Sequence, residues 1–168
     1  MSGEKQWGII VINPKTLQFL SYITKQYTQV TVTILMKLSY LIDLVSIKET
    51  KAKISDFEYE RYLFGPFSRK IYDYLNELAK NKIVKEMPGY SPMGDEYIVY
   101  TFNSSAENIE FGKLSSKEKK LIDKVLGELQ GLGAKALSKI SYETIPMKKI
   151  GATIGNSKGL NKKIDLTT

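Results

Sequence analysis

The spacing of apolar residues changes several times along this chain, and each change marks an element. After Asn13-Pro14, Leu17, Leu20, Ile23 and Tyr27 fall three and four apart, the spacing of one buried helix face. Asn caps helices well, and Pro is tolerated in a first turn. The β-branched run from Thr28 to Ile34 is poor helix material, so a break is expected inside it. A second helix then runs from about Thr33 to Val45. Its apolar stripe is Ile34, Leu35, Leu38, Leu41, Ile42 and Val45, with Lys37 and Asp43 on other faces. A stripe that broad places the helix near the centre of a core.

Residues 48–55 are polar and read as a connection. Phe57, Tyr59, Arg61 and Leu63 then alternate with Glu58, Glu60 and Tyr62, the period of a strand. Gly65-Pro66 is expected to end it, because Pro lacks an amide hydrogen for a ladder. Ser68 is expected to cap a helix reaching about Asn81, with Ile71, Tyr74, Leu75 and Leu78 inward. Ile83-Val84 open another strand, Pro88-Gly89 and Pro92-Met93-Gly94 mark a turn, and Glu96–Phe102 returns.

Asn103–Lys113 reads as a loop. Ser115-x-x-Glu118 is a capping-box pattern, followed by a face of Leu121, Ile122, Val125, Leu126 and Leu129. Gly131 and Gly133 end that helix. A short helix over Ala134–Tyr142 presents Leu137 and Ile140, and Pro146 is expected to stop anything further. Residues 151–168, dominated by Gly, Ser, Asn and Lys, read as a mobile basic tail.

Together these elements define an α+β fold, mainly α, in one domain over residues 1–150. The order helix, strand, turn, strand after the Gly-Pro corner is that of a winged helix-turn-helix with a small antiparallel sheet. Two added helices follow at about 114–146.

Composition narrows the function. With no cysteine and no histidine among 168 residues, disulfides, thiolate chemistry, imidazole bases and Cys/His metal sites are excluded. No apolar run approaches the roughly 20 residues of a membrane helix. The apolar piece Trp7 to Ile12 is too short for a signal sequence, so a cytoplasmic protein is expected, with no membrane partner. The net charge of +7 favours an acidic partner. Five lysines against Asp165 in residues 148–168 account for much of it, leaving about +3 for the rest.

Two binding chemistries compete on the remaining surface. The 11 tyrosines, paired at Tyr59/Tyr62, Tyr72/Tyr74 and Tyr97/Tyr100, suit a protein interface, since tyrosine is amphipathic and loses little entropy when immobilised. Tyr62, Gly65, Pro66, Phe67, Arg69 and Tyr72 at the Gly-Pro corner are the candidates for such a surface. The plainer alternative is that these rings complete a small core. For DNA, the helix from Ser68 would offer Arg69, Lys70 and Lys80, the hairpin Tyr90, and the tail its lysines. Asp73 and Glu77 on the same helix face oppose phosphate. Gly151, Gly155 and Gly159 lack the strand and the Gly-Lys-Ser/Thr ending of a phosphate loop.

Three segments carry a family resemblance. Lys37-Leu-Ser-Tyr-Leu-Ile-Asp43 resembles the K-L-x-Y-L helix of the Panacea family, the SocA-like antitoxin domains. Phe57 to Ser68 resembles that family's strand and Y-G-P corner. Leu137 to Met147 resembles its L-S-x-x-(S/T)-H-x-x-x-P-W segment. A related YwgA-like group shares the first two. Phe64, Tyr142 and Met147 stand where the family commonly has Tyr, His and Trp. The resemblance covers about residues 15–147. It implies a helical fold around a small sheet, no cofactor, no reaction, and a type II antitoxin-like role in which the protein binds a toxin or another target and holds it inactive. By position in the motif it adds Tyr142 and Pro146 to the partner-binding candidates. The alternative is a DNA-binding winged-helix regulator, and exposed aromatics are also compatible with a homodimer.

Overall fold

Asn13 starts the first helix as its chemistry dictates. Its Oδ1 accepts from the Lys15 and Thr16 amides at 2.9 and 3.2 Å, and Pro14 occupies the first turn of α1 (Pro14–Gln26). The computed structural model describes residues 11–27, 29–106 and 109–168; most of the apolar stretch expected from Trp7 lies outside them. The expected break follows Gln26, and beyond it Val30 pairs in both directions with Tyr100 at 3.2 and 2.7 Å.

Helix α2 (Val32–Thr50) is capped by Thr31, whose hydroxyl accepts from the Ile34 amide at 3.3 Å. It takes in the first three residues of the stretch expected as a connection and ends at Lys51, whose backbone is left-handed at φ 68°; the rest of that stretch is non-helical as expected. Lys37 and Asp43 are both buried, although they stand on other faces than the apolar stripe. The reason is packing: α2 is enclosed by α1, by the later helices and by the corner strand, so little of its circumference meets water.

The corner also differs from its expectation. Strand β1 (Glu60–Tyr62) pairs antiparallel with β2 (Gly65–Phe67), Tyr62 opposite Gly65, leaving Leu63-Phe64 at the tip. Gly65-Pro66 therefore opens the return strand and does not end a longer one. Gly65 lies at φ +112°, which a side chain would strain, and its backbone takes the chain back beside β1. Ser68 is no cap. Its amide faces the Met36 sulfur at 3.3 Å, and α3 (Lys70–Lys80) starts behind Arg69 without a side-chain cap. The inward face of α3 is the expected Ile71, Tyr74, Leu75 and Leu78.

Strands β3 (Val84–Tyr90) and β4 (Glu96–Phe102) form a second two-stranded antiparallel sheet, in register from Val84–Phe102 to Tyr90–Glu96. Pro88-Gly89 is thus inside a strand and not in the turn. The Tyr97 ring covers Gly89, where an added Cβ would lie 2.5 Å from Tyr97 Cε1.

Helix α4 (Ser116–Leu129) carries the full capping box: Ser115 Oγ accepts from the Glu118 amide at 3.0 Å, and Glu118 Oε1 from the Ser115 amide at 2.9 Å. After α5 (Ala134–Tyr142), Pro146 does not stop the chain. It sits in the first turn of a short α6 (Ile145–Lys149), where a missing amide costs nothing. Residues 151–168, expected as a mobile tail, pack onto the body. Lys162 O accepts from the Arg61 amide at 2.9 Å, Arg61 O from Asn161 at 2.7 Å and Tyr59 O from Ile164 at 2.8 Å. Ala152, Ile164 and Leu166 are buried.

The described residues thus form six helices and two small antiparallel sheets, a mainly helical α+β fold. Edge-to-face rings fill its centre: Tyr40 on Tyr59 at 5.3 Å, and Phe57 on Tyr59 and Tyr74 at 5.9 and 5.6 Å. Among the described residues no helix is long and apolar enough to cross a membrane.

Candidate partner-binding groove

The three motif segments converge beneath the β1–β2 hairpin. Lys37 reaches from α2 to donate to Pro66 O at 2.9 Å. It passes Gly65 so closely that an added Cβ there would lie 3.3 Å from Lys37 Cε and 3.7 Å from the Tyr142 ring. Tyr142, from α5, donates to Leu63 O at 2.9 Å, and Tyr40 and Thr144 share a hydroxyl–hydroxyl bond at 2.8 Å. Helix α2, the hairpin and α5 are thereby tied to one another, with Leu63-Phe64 held outward.

Deeper in the same assembly, Asp43 is fully enclosed. Its carboxylate accepts from the Ile54 and Ser55 amides at 2.8 and 3.1 Å, from the Ser55 hydroxyl at 2.5 Å and from Tyr59 OH at 2.7 Å. Burial pushes the Asp43 pKa up against these bonds, and burial followed by the Asp43 charge pushes Tyr59 well up. Burial alone lowers the Lys37 amine to about 8. Arg61 is also enclosed. One of its terminal nitrogens, Nη2, donates to Asn156 O at 2.8 Å, Thr153 O at 3.1 Å and Tyr142 OH at 3.2 Å, and its guanidinium lies 5.3 Å over the Tyr142 ring. Its Nε and Nη1 find no partner among the described residues.

Above this buried layer the surface is aromatic. The Tyr62 and Phe67 rings stack at 4.7 Å across the hairpin, and Tyr72 tilts against Phe67 at 5.8 Å. Arg69 Nε donates to Tyr62 OH at 2.8 Å, a bond that raises the guanidinium pKa further. With Val32, Thr33, Lys37, Leu63 and Phe64 these four residues line a groove of about 500 Å³. Leu63, Phe64 and Tyr72 are 66%, 71% and 51% exposed. A second depression of about 560 Å³ continues past Tyr72 to Tyr97 and Ile98, and a third of about 900 Å³ continues past Phe64 along α5 to Ile154.

Of the candidate partner residues, Tyr62, Phe67, Arg69 and Tyr72 meet in this groove. Gly65, Pro66 and Tyr142 lie underneath it, buried, and Pro146 is buried in α6 beside a different depression. The nucleic-acid candidates do not converge. Lys70 pairs with Asp56 at 3.3 Å, Lys80 is exposed at the opposite end of α3, and Tyr90 is exposed far along the β3–β4 hairpin. Sequence reasoning missed Leu63-Phe64 as the tip of a hairpin, and missed Lys37 as part of the groove. The signal for Lys37 was present: it stands four residues before Leu41, on the face that Leu41 buries.

These features define a small, mainly helical α+β domain with an open aromatic groove at one hairpin. The family description "Antitoxin SocA-like, Panacea domain" matches residues 35–146, more than half of the chain, and the protein belongs to that family. No curated protein and no solved structure gives a significant match.

Proposed function

We propose that this protein is a non-enzymatic binding module of antitoxin type, which neutralises or sequesters a partner protein by covering it with the surface around the β1–β2 hairpin. The observation that carries this reading is the exposed run Leu63, Phe64 and Tyr72 beside Tyr62 and Phe67, inside the segment that matches the antitoxin family. Exposed aromatic clusters of this kind are typical anchors of protein interfaces. Gly65, Pro66 and Tyr142 serve it from below, by fixing the hairpin. Because they are buried, they act on a partner through the backbone they hold. Pro146 does the same for α6. The reading places the protein in the cytoplasm.

A second reading, a winged-helix DNA-binding regulator, is favoured by one observation: α3 is followed directly by a long exposed hairpin, as a wing follows a recognition helix. Against it, Lys70 is already paired with Asp56, Arg69 is hydrogen-bonded to Tyr62, and Asp73 and Glu77 share the helix.

A pull-down from the native host, washed with nuclease present and read by mass spectrometry, separates the two. One stoichiometric protein surviving nuclease supports the antitoxin reading. Recovery of nucleic acid alone, lost as salt rises, overturns it, because a complex with about six phosphate contacts weakens by roughly 10³ or more between 50 and 200 mM salt.

A further inference from the structure

The groove has one sign of charge. Its lining contains Lys37 and Arg69 and no Asp or Glu. Lys37 is 2% exposed, yet among the described residues it has no carboxylate within ion-pair distance and makes one hydrogen bond, to Pro66 O. An ammonium has three N–H groups, so two are unclaimed at this site. Buried cations are normally paired, since an unpaired one forfeits its hydration without compensation. Arg69 stands exposed on the same lining. Its Nε is committed to Tyr62, which fixes the guanidinium, and it makes no other hydrogen bond among the described residues. The rings of Tyr62, Phe67 and Tyr72 belong to the same lining.

We propose that this groove receives an acidic side chain, Asp or Glu, from an apolar segment of the partner protein, its carboxylate accepting from Lys37 at the base and from Arg69 at the edge. The proposal rests on the protein-binding reading above and specifies the partner's chemistry. Charge complementarity selects the carboxylate, and the aromatic walls select apolar neighbours for it. A nucleic-acid backbone fits less well. Tracking phosphates takes a row of exposed cations, whereas here one cation is buried and the walls are apolar.

The test is selection of a randomised seven-residue peptide library on the full-length folded protein, repeated on Lys37→Met and Arg69→Gln. Arg69 is exposed, so its variant keeps the fold whatever happens to Lys37→Met. Enriched peptides are expected to carry Asp or Glu beside Leu, Phe or Trp. Each variant should weaken the best of them by about tenfold or more, the usual effect of losing a charge-assisted hydrogen bond, and exchanging the acid for its amide should do the same. Enrichment of acid-free peptides, binding indifferent to both variants, or no enrichment at all would overturn the acidic occupant. If the nuclease-resistant pull-down still returned a protein in that event, the protein-binding reading would stand without this groove chemistry. If the pull-down also returned none, both would fall.

Discussion

Lys37→Met removes the buried ammonium while keeping a side chain of similar length against Gly65. Burial lowers the Lys37 amine from 10.5 to about 8. Below about pH 8 both folded and unfolded chains hold the proton, and the fold carries the whole cost of the buried charge. Between about 8 and 10.5 the folded protein releases the proton first, so stability rises with pH; above 10.5 the cost is gone. The gap corresponds to about 3 kcal/mol, of which about 2 kcal/mol is recovered between about pH 7.5 and about pH 10. In the Met variant that rise is absent. At neutral pH the variant gains by losing the charge and loses about 1–3 kcal/mol by orphaning Pro66 O, so the two proteins should lie close together there. Urea unfolding of both proteins across this pH range isolates the effect, because the elevated tyrosines Tyr40, Tyr59 and Tyr74 titrate in both and cancel in the difference. Parallel curves, agreeing within about 0.5 kcal/mol in their pH dependence, would refute the buried lysine.

Three further outcomes are expected. Gly65→Ala should cost about 1–3 kcal/mol in denaturant unfolding, because φ +112° strains any side chain and the new methyl presses on Lys37. Asp43→Ala should lower stability by about 3 kcal/mol or more in a thermal melt, since Ile54, Ser55 and Tyr59 all lose their acceptor in a dry interior. Ile164→Ala should cost about 2 kcal/mol or more and raise amide exchange at Arg61, whose N–H is held by Lys162.

Local chemistry made much of the fold legible. Asn13, the Ser115–Glu118 box and the inward face of α3 follow from side chains that act within one or two helical turns, and they stand where the sequence puts them. What escaped was decided by distant parts of the chain. Lys37 and Asp43 are enclosed because α5 and the corner strand cover α2. Pro146 begins a turn because α6 packs. The polar stretch after Gly151 packs against the body because β1 offers it a strand edge. The groove was half visible for the same reason. Tyr62, Phe67, Arg69 and Tyr72 lie within eleven residues and were found together, whereas Lys37 joins them only through a contact 29 residues away.

The docked C-terminal segment imposes an order on synthesis. Arg61 waits for Thr153 and Asn156, 92 and 95 residues further on, for its two backbone acceptors, and the outer edge of β1 waits longer still for Asn161 to Ile164. At roughly 5–20 residues per second that is an interval on the order of 5–20 s in which the nascent chain exposes an open strand edge and leaves the arginine to water. The hairpin that shapes the groove is therefore among the last parts of the protein to reach its final form, and a chain cut before Thr153 would keep the aromatic residues of the tip but lose the footing beneath them.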